Sequence, residues 1–128
     1  MIKQTFGVEK YWEVIIYWDV DYDLFHYIAS DLNAIGFSDT AVKEVKDTME
    51  SGDAKAVTCS NNYISIVLFN KHKSITDYIN SMVHEAVHIK QAMLKAYRVE
   101  DKGEAPAYTM GYLVGRMWEV FSQNIYNY

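Results

Sequence analysis

The sequence has little that cross-links or interrupts a chain, since its 128 residues include one cysteine and one proline. A single cysteine, Cys59, excludes an internal disulfide and any metal site built from several thiolates. The chain also lacks repeats, low-complexity tracts and a linker, so we expect one domain spanning residues 1–128. Half of the residues are hydrophobic, which is enough to form a core at this length.

Runs of positive charge and long apolar runs are missing as well. The net charge is −5 and Lys and Arg do not cluster, so we expect neither nucleic acid nor an anionic membrane as a partner. No segment approaches the roughly 20 apolar residues of a membrane-spanning helix, and the N-terminal residues do not resemble a signal peptide. The sequence therefore predicts a cytoplasmic protein, and exposed aromatic residues could support a homodimer.

The spacing of apolar residues predicts the elements of the fold. Residues 8–20 alternate as a strand, and residues 54–60 and 63–70 form a hairpin that turns at Asn61 and Asn62. Helices are predicted over residues 22–35 and 38–51, from Ser74 to about Tyr97, and from Gly103 or Glu104 to about Asn124. We therefore expect an α+β fold with an antiparallel three-stranded sheet and four helices.

The stretch SMVHEAVHIKQ, residues 81–91, contains His84, Glu85 and His88. On a helix, residues four apart share a face, so His84 and His88 can direct two imidazoles at one zinc ion. Glu85 is placed to take a proton from a water bound to that ion. The two histidines lie opposite a broad apolar arc of the helix, so they are not core histidines. The arc consists of Ile79, Met82, Val83, Ala86, Ile89, Met93 and Tyr97. A solvated helix face remains the alternative, because a motif this short also occurs by chance.

Glu104, which opens the last helix, is a candidate third ligand. Ala107, Gly111 and Gly115 on the same stripe would let two helices approach closely. A short connection makes the two C-terminal helices antiparallel neighbours. However, His88 lies about two to three turns before the end of its helix, so the two helices must tilt, or the last helix must start early, for Glu104 to reach it.

The motif HEAVH, followed by a glutamate at the start of a downstream helix, resembles the gluzincin class of zinc metallopeptidases. The segment GEAPAYTMGYL is similar to short metallopeptidase-like proteins of bacteriophages, and the resemblance covers residues 74–118. It implies a small zincin-like fold in which the HExxH helix packs beside the C-terminal helix. It also implies a zinc ion held by His84, His88 and Glu104, with Glu85 as general base and acid.

The chain departs from the larger family members beside the third ligand. They have an asparagine before it and an aspartate four residues after it, where this sequence has Gly103 and Tyr108. Tyr108 could replace the aspartate, and Tyr108 or Tyr112 is the candidate to stabilise an oxyanion. His72, just before the motif helix, could also reach the cleft as a donor. Residues 63–69 are the best candidate to receive a peptide by strand addition, but a core-sheet role is the favoured interpretation of this strand.

The resemblance implies a zinc-dependent metallopeptidase that hydrolyses a peptide or protein substrate with a zinc-bound water activated by Glu85. The alternative is a non-enzymatic, zincin-like phage accessory protein that binds a host protein. A structural zinc is usually closed by four protein ligands, whereas this sequence offers three and keeps Glu85. These residues favour an open, catalytic site.

Overall fold

The structure, a computed structural model, describes residues 1–126 and has an α+β fold. Its strands are β1 (Ile2–Val8), β2 (Trp12–Trp18), β3 (Ala56–Asn61) and β4 (Ile64–Phe69). Its helices are α1 (Phe25–Ala34), α2 (Asp39–Glu50), α3 (Ile75–Tyr97) and α4 (Glu104–Val120), and a π-helical segment follows α4 at Phe121–Ile125. None of the helices in these residues combines the length and apolarity that a bilayer crossing requires.

The four strands form one mixed sheet in the order β1-β2-β4-β3. β1 pairs with β2 and β3 with β4 in antiparallel fashion, whereas β2 and β4 run parallel. The expected antiparallel, three-stranded sheet is therefore wrong in strand number and in one pairing. The missed strand, β1, has a polar residue on its inward face: buried Gln4 donates to the Arg116 carbonyl and accepts from the Trp18 indole. That polar position breaks the apolar alternation that identifies a strand.

Helices cover both faces of the sheet. Trp12, Trp18 and Phe69 point towards α3 and α4, and the Trp18 and Phe69 rings stack at 4.5 Å. Tyr17 and Leu68, which alternate with them, point towards α1 and α2 on the other face. Since α3 has the sheet on one side and α4 beside it, the side of α3 that faces away from the sheet is open to solvent.

Local interactions fix both ends of α3. The Ser74 side chain caps the helix by accepting a hydrogen bond from the Asp77 amide at 3.1 Å, which confirms the predicted start of the helix at Ser74. At the other end Arg98 adopts the left-handed conformation, with φ 57°, and the Val99 amide returns to the Leu94 carbonyl. The helix therefore ends at Tyr97, as the sequence predicts, and α4 begins at Glu104 after a short connection.

Candidate metal centre

His84 and His88 lie on the solvent-facing side of α3 with their imidazoles turned towards each other. Both residues are exposed, and their Nε2 atoms are 3.1 Å apart. Two nitrogens bound to one tetrahedral zinc ion lie about 3.3 Å apart, so the pair is close to the geometry of a two-ligand chelate. The same distance suits a hydrogen bond in which one neutral imidazole donates to the other.

The Glu85 carboxylate lies beside this pair and is buried, with 4% of the residue exposed. Its Oε1 accepts a hydrogen bond from the Thr58 hydroxyl of β3 at 2.9 Å, and its Oε2 lies 3.9 Å from His84 Nε2. A buried carboxylate is costly without strong partners, and a single neutral hydroxyl is a weak one. Glu85 Oε2 is the carboxylate oxygen that faces the histidine pair.

The face of α3 that is buried differs from the apolar arc that the sequence predicts, because it is rotated around the helix axis towards Glu85. Ile79 and Val83, expected in the apolar arc, are 39% and 42% exposed. The cause is β3, which covers the flank of α3 that carries Glu85. A helical wheel contains no information about the strand that will pack on either flank.

Cys59 follows Thr58 in β3, and its side chain points to the opposite face of the sheet. Burial raises the pKa of its thiol to about 11, with a smaller contribution from the negative charge of Glu85. Such a thiol stays protonated near neutral pH. Cys59 is therefore a buried, unreactive thiol.

Glu104 is exposed at the start of α4 and does not join the histidine pair. α3 continues for nine residues after His88, which places its end about 13 Å further along the axis. Lys90 binds Asp101 in the connection at 2.8 Å, and Lys90 lies about 160° around the helix from His88. Within residues 1–126, no three His, Cys, Asp or Glu side chains converge on a common metal position.

The small residues of α4 do not lie at a tight helix contact. A Cβ added to Gly111 or Gly115 would meet no atom within 4 Å, and Ala107 is exposed. The expected close approach of the two helices along this stripe is therefore wrong. α3 and α4 instead pack through larger side chains, including Met82, Ile89, Leu113 and Met117.

Tyr108 and Tyr112 lie at the other edge of the sheet from Glu85. Both line a groove of about 570 Å³ beside the end of β1, and Tyr108 is 75% exposed. The Tyr112 hydroxyl donates to the Gly7 carbonyl at 2.8 Å. Because β1 and β3 are opposite edge strands, this conformation does not bring either tyrosine to the histidine pair.

His72 lies close to the motif helix. Its Nδ1 is 2.6 Å from the Asn70 carbonyl oxygen, and its Nε2 is 2.7 Å from the Ser81 hydroxyl. A carbonyl only accepts, so in the neutral ring Nδ1 carries the proton and Nε2 accepts from Ser81. Ser81 precedes Glu85 by four residues, so His72 lies on the flank of α3 that carries the buried carboxylate.

β3, rather than β4, is the edge strand beside Glu85. β4 pairs with β2 on one side and β3 on the other, so the favoured core-sheet role of residues 63–69 is confirmed and this strand has no free edge for a peptide. β3 pairs with β4 alone and carries Thr58, the partner of Glu85. The sequence shows the hairpin, but the parallel pairing that makes β4 central depends on residues far apart in the chain.

Compared with known proteins, the chain matches no family model, no curated protein and no solved structure at a significant level. The interpretation of the site therefore rests on the side chains that surround His84 and His88. Of the residues selected from the sequence, the structure brings together His84, Glu85 and His88 and places Glu104, Tyr108 and Tyr112 elsewhere.

Proposed function

We propose that this protein is a zinc-dependent metallopeptidase with a small zincin-like fold, in which His84 and His88 hold the metal through Nε2 and Glu85 transfers protons. The observation that carries the proposal is the convergence of the two Nε2 atoms at 3.1 Å beside a carboxylate that is 4% exposed. Two exposed histidines alone would be compatible with a solvated helix face. A solvated face does not by itself explain why Glu85, which follows His84 in the chain, is buried and bound to Thr58.

The two oxygens of Glu85 have different environments. Oε1 is bound to the Thr58 hydroxyl, whereas Oε2 is the oxygen nearer His84. Zinc supplies a Lewis acid that lowers the pKa of a coordinated water to about 7. Glu85 Oε2 would accept a proton from the attacking water as the water adds to the peptide carbonyl, and would donate it to the amine nitrogen when the C–N bond breaks.

An extended peptide would reach Glu85 by pairing with β3. β3 has one unpaired side, and backbone hydrogen bonds to an edge strand hold a peptide without demanding a particular sequence. Thr58 links this strand directly to Glu85, so a peptide on the β3 edge lies alongside the carboxylate. A peptide or an unfolded segment of a protein is therefore the proposed substrate class.

Glu104 remains the proposed third ligand and requires a rearrangement to reach the metal. Residues 98–105 are all exposed, and Gly103 has φ 84°, so this connection has few packing contacts to lose. In the last turn of α3, Lys95 and Ala96 are exposed, whereas Tyr97 packs against the rings of Trp12 and Tyr63, contacts that a rearrangement would break. Unwinding this turn would shorten the distance along α3 that separates Glu104 from His88.

A second candidate is the non-enzymatic accessory protein that binds a host protein, and a group of exposed tyrosines favours it. Tyr11 and Tyr63 are 67% and 51% exposed and line a groove of about 670 Å³ with Tyr97. Tyrosines supply large, rigid contact areas at protein interfaces. A binding role at this groove would not require Glu85.

The substitution Glu85→Gln separates the two functions. The amide keeps the size of the side chain but cannot take a proton, so we expect unchanged zinc content and a loss of hydrolysis by at least about 100-fold. Zinc is measured by elemental mass spectrometry, and hydrolysis by mass spectrometry of a peptide library. Glu44→Gln, an exposed position on α2 across the sheet, is the matched control and should behave as the wild type.

Two outcomes would contradict the peptidase. If Glu85→Gln hydrolyses peptides as fast as the wild type, Glu85 is not the proton-transfer group. If the wild type binds zinc but cleaves no peptide in the library, the accessory protein becomes the better account.

A further inference from the structure

The outward stripe of α3 is symmetric about the histidine pair. Asp77 and Lys95 are 18 residues apart, which is about five helical turns, so they lie on one line along the helix. His84 and His88 straddle that line midway between them. Each charged residue therefore lies about 13 Å from the centre of the pair, one on either side.

This symmetry makes the stripe complementary to itself when α3 meets a second α3 in antiparallel fashion. A two-fold axis through the centre of the pair places His84 opposite His88 of the second copy. The same operation places Asp77 opposite the second copy's Lys95, twice by symmetry, and Ser81 opposite Gln91. Antiparallel helices also align their dipoles favourably.

The stripe is free to make this contact. The sheet and α4 cover other sides of α3, and Lys95 and both histidines are exposed. Asp77 is 3.8 Å from Lys55 within its own chain, a long contact between groups whose side chains are partly or largely exposed. Such an ion pair contributes little to the stability of the chain, so Asp77 can exchange it for an ion pair with Lys95 of the second copy.

We propose that zinc joins two copies of this chain through His84 and His88 of each, so that four imidazoles fill its tetrahedral shell. One chain supplies two converging nitrogens, and zinc in closed sites takes four protein ligands. This inference rests on the proposed function only in requiring that the pair binds zinc. With four histidines bound, no position is left for a water, so the dimer is the resting form and the monomer is the form that takes a peptide.

The stripe is polar, and this makes the dimer dependent on the metal. Asp77, Ser81, Gln91 and Lys95 expose little apolar area, and isolated surface ion pairs contribute little to association. Without zinc such a small contact does not hold two copies together. The chain should therefore be a monomer in a chelator and a dimer at half an equivalent of zinc.

The test combines molar mass with zinc titration and a compensating charge exchange. Light scattering or sedimentation should show a dimer with about one zinc per two chains, and a chelator should reverse it. Asp77→Lys and Lys95→Asp should each weaken dimerisation about tenfold, because each places like charges across the axis twice. The double variant D77K/K95D restores opposite charges at both contacts and should recover wild-type dimerisation.

The outcomes distinguish this inference from the proposed function. A monomer at every zinc level that binds about one zinc per chain overturns the dimer and leaves the metallopeptidase standing. Failure to bind zinc at all overturns both. A zinc-dependent dimer that both single charge reversals leave unchanged would mean that the copies meet through another surface, which also overturns the inference.

Discussion

Glu85 is the residue whose environment differs most from that of an ordinary surface helix position. Leaving a buried polar group without an adequate partner costs about 1–3 kcal/mol, against a net stability of about 5–15 kcal/mol for a domain. Thr58 offsets part of this cost with one hydrogen bond.

The sequence predicts part of this residue-scale arrangement. Spacing alone places His84 and His88 together on the exposed side of a helix, and the structure confirms both features. It does not predict the burial of Glu85, which depends on Thr58, a residue of β3 that is 27 positions away. Nothing in the pattern around Glu85 indicates which strand will cover it.

Cys59 provides a residue-scale test of the buried surroundings of Glu85. Burial and the Glu85 charge raise the pKa of the thiol from 9.0 to about 11 in the folded protein. The unfolded chain therefore loses this proton first, and the stabilisation from Cys59 is present below pH 9 and lost as the pH rises through 11. Chemical denaturation at pH 8 and 10.5 should show that Cys59→Ala loses less stability over this range than the wild type, by about 1–2 kcal/mol.

Burial also raises the pKa values of Tyr17 and Tyr78, so these tyrosines contribute to the pH dependence of stability. Both proteins retain them, and the difference between the two pH profiles therefore reports Cys59 alone. Parallel pH profiles for the wild type and Cys59→Ala would contradict the buried, protonated state of the thiol.

At the scale of elements, the length of α3 determines which residues lie near the histidine pair. Its length follows from local signals that the sequence shows, namely the Ser74 cap and the reversal of the chain at Arg98. The same length carries the chain nine residues beyond His88 and keeps Glu104 away from the pair. The sheet is less predictable, because β1 has an inward glutamine and the β2–β4 pairing joins distant strands.

The end of α3 can be tested by a substitution that suits its backbone. Arg98 has φ 57°, a conformation that costs a non-glycine residue about 1 kcal/mol, and the residue is exposed. Arg98→Gly should therefore raise the free energy of unfolding by about 0.5–1 kcal/mol in urea denaturation.

Ala96→Gly is the control, because this residue is also exposed but lies inside the helix, where glycine should change the stability in the opposite direction. Glycine inside a helix should lower the free energy of unfolding by about 0.5–1 kcal/mol. If both glycines destabilise the protein equally, α3 does not end at Tyr97 in the way described.

At the scale of the whole molecule, the candidate residues lie on three separate surfaces. The histidine pair and Glu85 lie towards β3, Tyr108 and Tyr112 lie towards β1, and Glu104 lies at the start of α4. The sequence identifies the residue types and their local spacing, but the distances between these surfaces depend on strand order and helix packing. For this reason the two-histidine part of the site was predictable, and its completion by Glu104 stays a proposal.

The most direct test of the proposed metal centre is zinc binding, measured by isothermal titration of the wild type beside the double variant His84→Ala/His88→Ala. We expect the wild type to bind between about half and one zinc per chain and the double variant to show no binding at the same site. If Glu104 is the third ligand of a zinc ion bound to one chain, the Glu104→Ala variant should bind zinc more weakly than the wild type in the same titration. A wild type that binds no zinc, or a double variant that binds as tightly as the wild type, would contradict the proposed centre.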